Sequence, residues 1–163
     1  MAPRNLPSRP TTDFAKEALF NLMNNHFEMD MISVLDLFAG TGNIGFEFAS
    51  RGAESITSVD NNGNCVKYIN TTAAALKFEN MQAHRADALK FLDRVYRKWD
   101  VVFADPPYEF EGHELLVNKV FEKNVLEEEG MLVIEHSKNT SLAEHPRFRE
   151  ARNYGNVTFS FFE

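Results

Sequence analysis

A chain of 163 residues with 44% hydrophobic and 25% charged residues is long enough to bury about two thirds of its unfolded surface in one core, and its composition excludes the disordered and fibrous classes. The net charge of −7 argues against indiscriminate nucleic-acid binding, which depends on many Lys and Arg contacts to phosphate. A lone Cys65 excludes an internal disulfide, the five histidines are scattered without metal-ligand spacing, and no apolar run approaches the roughly 20 residues that cross a bilayer. A single domain is therefore expected, 1–163, without metal or signal-peptide core, in the cytoplasm and most simply a monomer.

Residues 1–10 hold three prolines and two arginines without periodicity and read as an extended lead-in. A helix follows, capped by Thr11 or Thr12, with Asp13 in its first turn. Phe14, Ala15, Ala18, Leu19, Leu22 and Met23 give it an apolar stripe expected to pack on the sheet edge. Strands are expected at Ser33 to Leu37, Ser55 to Val59, Met81 to Arg85, Trp99 to Ala104 and Gly130 to Glu135. Helices fall between them: one carries Ile44, Phe46, Phe48 and Ala49 and stops at Gly52; Asn62 caps the next, with Val66, Ile69, Ala73 and Leu76 at helical spacing; two more cover Asp87 to Val95 and Glu114 to Lys123. Beyond Pro146, Arg147 to Tyr154 and Val157 to Glu163 flank Gly155 and Asn156 as a hairpin. The alternation predicts an α/β fold: a mostly parallel seven-stranded sheet with helices on both faces and a C-terminal antiparallel hairpin.

The first strand runs into Asp36-Leu37-Phe38-Ala39-Gly40-Thr41-Gly42-Asn43-Ile44-Gly45. Glycines where a strand gives way to a helix let the backbone approach a ligand, and the helix start supplies unpaired N–H groups. Gly40, Gly42 and Gly45 fit the dinucleotide pattern, with Asp60 at the distance of a ribose-binding carboxylate. Asp36, at the tip of the strand, suits the ammonium of a bound amino acid better than a pyrophosphate, which sets a nicotinamide oxidoreductase behind a methyl-donor enzyme. Strand four ends in Asp105-Pro106-Pro107-Tyr108. An exocyclic base amine is a poor nucleophile, because its lone pair is delocalised into the ring. Asp105 and the Pro106 carbonyl, held rigid by the proline pair, would accept from its two N–H groups and oppose the developing positive charge, while Tyr108 offers a stacking face. A duplex-buried amine cannot reach such a pocket, so the base must be unpaired or flipped out. Basic clusters occur at Arg4, Arg9 and Lys16, at Lys90, Arg94, Arg97 and Lys98, and at Arg147, Arg149 and Arg152; each also reads as a solvated face.

These segments resemble class I S-adenosylmethionine-dependent methyltransferases that act on amino groups. Arg9-Pro10-Thr11-Thr12-Asp13, followed by Lys16-Glu17-Ala18-Leu19-Phe20-Asn21, is similar to the opening motif of the RsmD family, which methylates the guanine N2 amine in small-subunit ribosomal RNA. The resemblance implies a Rossmann-like fold and S-adenosyl-L-methionine as cofactor. It implies donor binding by Thr12, Asp36, Phe38, Ala39, Gly40, Thr41 and Gly42, with Asp60 on the ribose, Asn61 beside the adenine, and Ala86 and Asp87 at the adenine amine. Asp105, Pro106, Pro107 and Tyr108 would be catalytic, and 16S rRNA in an assembling small subunit the partner. Asp87 as a plain helix cap is the structural alternative. Family members usually begin with a basic β-hairpin, whereas nine residues precede Pro10 here, so a shortened N-terminus or a substrate presented by the subunit is expected. Adenine-N6 methylation of DNA or RNA, and a non-catalytic donor-binding module, are the other readings.

Overall fold

The computed structural model describes residues 12–163, so the lead-in and Thr11 lie outside the described residues. Its helices are α1 (Asp13–His26), α2 (Asn43–Ser50), α3 (Gly63–Ala75), α4 (Ala88–Arg94) and α5 (His113–Glu122). Its strands are β1 (Ser33–Leu37), β2 (Ser55–Asp60), β3 (Met81–Arg85), β4 (Trp99–Ala104), β5 (Leu126–Ser137), β6 (Phe148–Tyr154) and β7 (Val157–Phe162).

The strands form one sheet in the order β3-β2-β1-β4-β5-β7-β6. From β3 to β5 all neighbours are parallel, while β7 runs antiparallel to both β5 and β6. The order reverses between β1 and β4. In an open α/β sheet that reversal splays apart the connections above the strand tips and leaves a crevice.

Two cores sandwich the sheet. On one face Ala15, Leu19 and Met23 of α1, Phe48 of α2 and Ile69 of α3 meet Val34, Ile56, Phe103 and Phe159. On the other, Leu92 of α4 and Leu116, Val117 and Val120 of α5 cover Leu35, Leu37, Val102 and Ile134. Near-continuous apolar runs in β1 and β4 follow from this burial on both faces. Local chemistry sets the helix starts: Thr12 Oγ1 accepts from the Ala15 N–H at 3.3 Å, the Asn62 side chain accepts from the Asn64 and Cys65 N–H groups, and Asp87 accepts from Lys90 N–H at 3.1 Å; these side chains satisfy helix donors that lack an intrahelical partner.

Several expectations need correction. The apolar residues of α1 join the core on a sheet face; only Phe14, 70% exposed, reaches out, edge-on to Tyr154 of β6. Leu76 is not part of the α3 stripe but its exposed C-cap. Strand β5 starts at Leu126, four residues before Gly130. Its Glu127, Glu128 and Glu129 are exposed, the register with β4 shifts between Trp99 and Val101, and Glu129 takes a positive φ of 68°. This bulged, charged segment lacks the apolar alternation from which a strand is read.

Candidate active site

Strand β1 delivers Asp36 and Phe38 to the crevice, and the chain then turns through Gly40, at φ 58°, and Gly42, at φ 85°. A Cβ on Gly42 would lie 2.9 Å from the Phe46 ring and 3.0 Å from Ile69 Cγ1, so neither backbone conformation nor space admits a side chain. Gly40 differs: nothing lies within 4 Å of where its Cβ would be, because it forms the wall of an open cleft. Phe38 also takes a positive φ, 57°, and its ring packs edge-on against Phe110.

That cleft measures about 420 Å³ and is lined by Asp36, Phe38, Ala39, Gly40, Thr41, Asp60, Asn61, Asp105, Pro107 and Tyr108, among others. Asp60 knits its floor together. Its Oδ2 accepts from Gly40 N–H at 2.8 Å and its Oδ1 from Asn62 N–H at 2.9 Å, while its carbonyl accepts from Ala86 N–H at 3.0 Å. Each carboxylate oxygen keeps a lone pair for a further donor.

Asp36 is 2% exposed. The backbone N–H of Gly45, in the first turn of α2, donates to its carboxylate, replacing the side-chain cap that Gly42 cannot supply. Its Oδ2 is buried with no hydrogen-bond partner among the described residues. Burial, with Asp60 and Glu135 nearby, pushes the carboxyl up to about 8 despite that N–H. A buried carboxyl with one unmet oxygen, in the wall of a cleft, fits a cationic ligand group, which would restore its charge.

Asp105 follows β4 directly, and its N–H points to the Leu37 carbonyl of β1 at 3.5 Å. The Phe110 N–H donates to the Pro107 carbonyl at 2.9 Å, closing the proline turn. Pro106 is buried, whereas Tyr108 is 77% exposed. Beside this turn lies a second cavity of about 210 Å³, lined by Asp105, Pro106, Pro107 and Tyr108 together with His113, Glu135, His136, Ser137, Thr140 and Asn156. Asp105, Pro107 and Tyr108 border both cavities.

The back wall of the second cavity holds residues that sequence reasoning missed. His136 places Nδ1 2.8 Å from the Ser137 carbonyl and Nε2 2.7 Å from Ser160 Oγ; the carbonyl requires Nδ1–H, so Nε2 accepts from the hydroxyl. His113 stands edge-on to His136, ring centroids 6.3 Å apart, and burial holds both imidazoles below their usual range. The available signal was position: Glu135 and His136 occupy the carboxyl end of β5, where open sheets present functional groups.

The remaining sequence-predicted residues lie elsewhere. Gly42 is buried beneath the turn. Ala86 and Asp87 line a separate hollow beside α4, and Asp87 serves as the α4 cap. Thr12 caps α1 and lines neither cavity. Cys65 is buried in the first turn of α3, against the cleft, where burial raises its thiol. Among the described residues no group of three or more His, Cys, Asp or Glu is placed to hold a metal, and no helix is long and apolar enough to cross a membrane.

Comparison with known proteins bears on the family and the fold. The family described as Conserved hypothetical protein 95 matches residues 2–163. YlbH of Bacillus subtilis is 34% identical over 141 residues, spanning 84% of this chain and 76% of that protein. Ribosomal RNA small subunit methyltransferase D of Haemophilus influenzae is 32% identical over 138 residues, with 82% and 70% covered. The structure of YhhF from Escherichia coli superposes with a TM-score of 0.84 at 26% identity, over 96% of this chain and 88% of that one. With relatives at this level over most of its length, the chain belongs to the Conserved hypothetical protein 95 family, and its fold is that of an S-adenosylmethionine-dependent methyltransferase related to the ribosomal RNA small subunit methyltransferases D.

Proposed function

We propose that the protein transfers a methyl group from S-adenosylmethionine to the exocyclic N2 amine of a guanine in 16S ribosomal RNA. The observation that carries this reading is the shared lining: Asp105, Pro107 and Tyr108 border both a cleft with an unmet buried carboxyl and an adjoining cavity of about 210 Å³, a volume suited to one planar base. When bound, S-adenosylmethionine supplies an electrophilic methyl on a sulfonium. In the cleft, Asp36 would hold the ammonium of the amino-acid portion, the turn through Gly40 would receive the chain beside it, and Asp60 would accept from ribose hydroxyls with its remaining lone pairs. Asn61 would flank the adenine, and Ala86, tied to Asp60 through its N–H, with Asp87 beside it, would meet the outer edge of that ring from the neighbouring hollow.

In the second cavity the amine lies between the Asp105 carboxylate and the Pro106 carbonyl. Accepting its two N–H groups would concentrate density on nitrogen and oppose the positive charge that grows as the N–C bond forms and the donor's S–C bond breaks, leaving a neutral thioether, with the surplus proton passing to the Asp105 carboxylate and on to water. Tyr108 stacks on the base. Most of the acceleration comes from alignment of nitrogen, methyl and sulfur, so no covalent enzyme intermediate is needed.

The test is transfer of labelled methyl groups to unmodified small ribosomal subunits, to naked 16S rRNA and to DNA, followed by nucleoside analysis. Label in N2-methylguanosine from subunits or their RNA is expected. Label confined to adenine N6 in DNA would reject the substrate, and donor binding without transfer to any acceptor would reject the enzyme.

A further inference from the structure

The sequence offers three basic clusters, and the structure separates them. Of the first, only Lys16 lies among the described residues, and it pairs with Glu47 at 3.5 Å. In the last, Arg149 pairs with Glu163 at 3.5 Å, Arg152 with Glu150 at 3.2 Å, and Arg147 lies over the Phe121 ring. The cluster around α4 is different. Lys90 and Arg94, one helical turn apart and exposed, form no ion pair among the described residues. Asp93, the carboxylate between them, is taken up by Lys119 at 2.6 Å. Asp87 is turned to the α4 backbone as its cap.

Lys90 and Arg94 line, with Arg85 and Tyr96, a hollow of about 460 Å³. Tyr96 is fully exposed, at 101%, with neither hydrogen bond nor ring contact among the described residues. Below it Arg97 is held in place, its guanidinium 5.0 Å above the Trp99 ring and donating to Ser55 Oγ at 2.8 Å. At the upper end Arg85 Nε donates to the Asn61 carbonyl at 3.2 Å, and Asn61 is part of the donor cleft. The strip therefore begins beside the cleft and descends along α4.

We infer that this strip, Arg85, Lys90, Arg94, Tyr96 and Arg97, is the surface that holds the RNA strand flanking the target base; the inference rests on the RNA reading of the site. In a chain of net charge −7, three cations, Arg85, Lys90 and Arg94, that form no ion pair among the described residues surround a hollow whose one carboxylate, Asp87, caps α4, which makes the hollow complementary to a phosphate backbone. A fully exposed tyrosine among them offers a platform for an unpaired base.

The experiment uses the full chain carrying Lys90→Glu and Arg94→Glu together, a milder Lys90→Gln and Arg94→Gln pair, Tyr96→Ala, and a control with Arg149→Glu and Arg152→Glu. Binding of an unmodified 16S rRNA transcript is measured across a salt series, beside donor affinity and steady-state transfer. The α4 reversal should weaken RNA binding and raise KM for RNA about tenfold, and make the salt dependence shallower by about 1 to 2. Donor affinity and kcat at saturating RNA should stay unchanged, and the control should match wild type. The Gln pair should show a smaller loss of the same kind, and Tyr96→Ala a weaker affinity with the salt slope kept. Wild-type RNA affinity, salt slope and KM in both α4 pairs would overturn the strip while leaving the proposed reaction intact. A wild-type chain that binds the transcript through α4 yet transfers no methyl to it would overturn the reaction and leave the strip. No binding by wild type would overturn the strip outright.

Discussion

Asp36 combines almost complete burial with an oxygen that nothing in the described structure satisfies, and its pH behaviour follows. Its carboxyl is raised from 3.8 to about 8, so between these values the folded protein keeps a proton that the unfolded chain has released. Stability of the free protein should therefore fall as pH rises from about 4 to about 8. A cationic group beside Asp36 offsets the burial of its charge, so donor affinity should tighten as pH climbs towards 8. Asp36→Asn keeps the shape and an acceptor for Gly45. It should flatten the stability profile across that window and weaken the donor about tenfold or more, as checked by denaturant melts and calorimetry at several pH values. A wild-type profile identical to that of Asp36→Asn would remove this role. Tyr108, 77% exposed, gives a second residue-scale prediction. Tyr108→Ala should raise KM for the nucleic acid by about one to two powers of ten, the worth of a stacked base, while Tyr108→Phe stays near wild type and neither changes donor affinity.

The turn between β1 and α2 behaves as an element with two glycines of different purpose. Gly42→Ala forces a Cβ to within 2.9 Å of Phe46 and 3.0 Å of Ile69 at a φ of 85°, so it should cost about 2–4 kcal/mol of stability. Gly40→Val adds a Cβ that meets nothing within 4 Å among the described residues. It should cost only about 1–2 kcal/mol in backbone strain yet abolish donor binding, because its side chain stands in the cleft. Chemical denaturation beside donor titration separates the two. This contrast marks the boundary of what the sequence shows. The pattern Gly40-Thr41-Gly42 announces a ligand turn, because few other reasons place glycines between a buried strand and a helix. Which glycine serves the ligand and which the packing depends on Phe46 and Ile69, brought in from α2 and α3. Strands β1 and β4 were legible because burial on both faces imposes near-continuous apolar runs. The first residues of β5 were not, since a bulge and three exposed glutamates erase the alternation. His113, Glu135 and His136 stayed hidden because α5 and β5 come together with the Asp105 turn only through the sheet order. Asp87 reads first as a ligand for the adenine amine and second as a cap; one of its oxygens caps α4 through the Lys90 N–H, and the residue lines the hollow beside that helix.

At the scale of the whole molecule, the sheet reversal between β1 and β4 sets two strand tips side by side. The β1 tip, with the support of Asp60 from β2, builds the cleft. The β4 tip carries Asp105 to Tyr108 into the lining that the cleft shares with the cavity over β5 and β7. Helices on both faces hold that arrangement with two continuous cores, so neither tip can move without repacking the sheet beneath it. The central claim is a division of labour: one tip grips the donor, the other activates the amine. It is tested most directly by Asp105→Ala, with donor affinity measured by calorimetry and methyl transfer to 16S rRNA measured on the same preparation. Donor affinity close to wild type with kcat lowered about 100-fold or more is the predicted result, whereas a parallel loss of donor affinity and transfer, or transfer that survives intact, would contradict it.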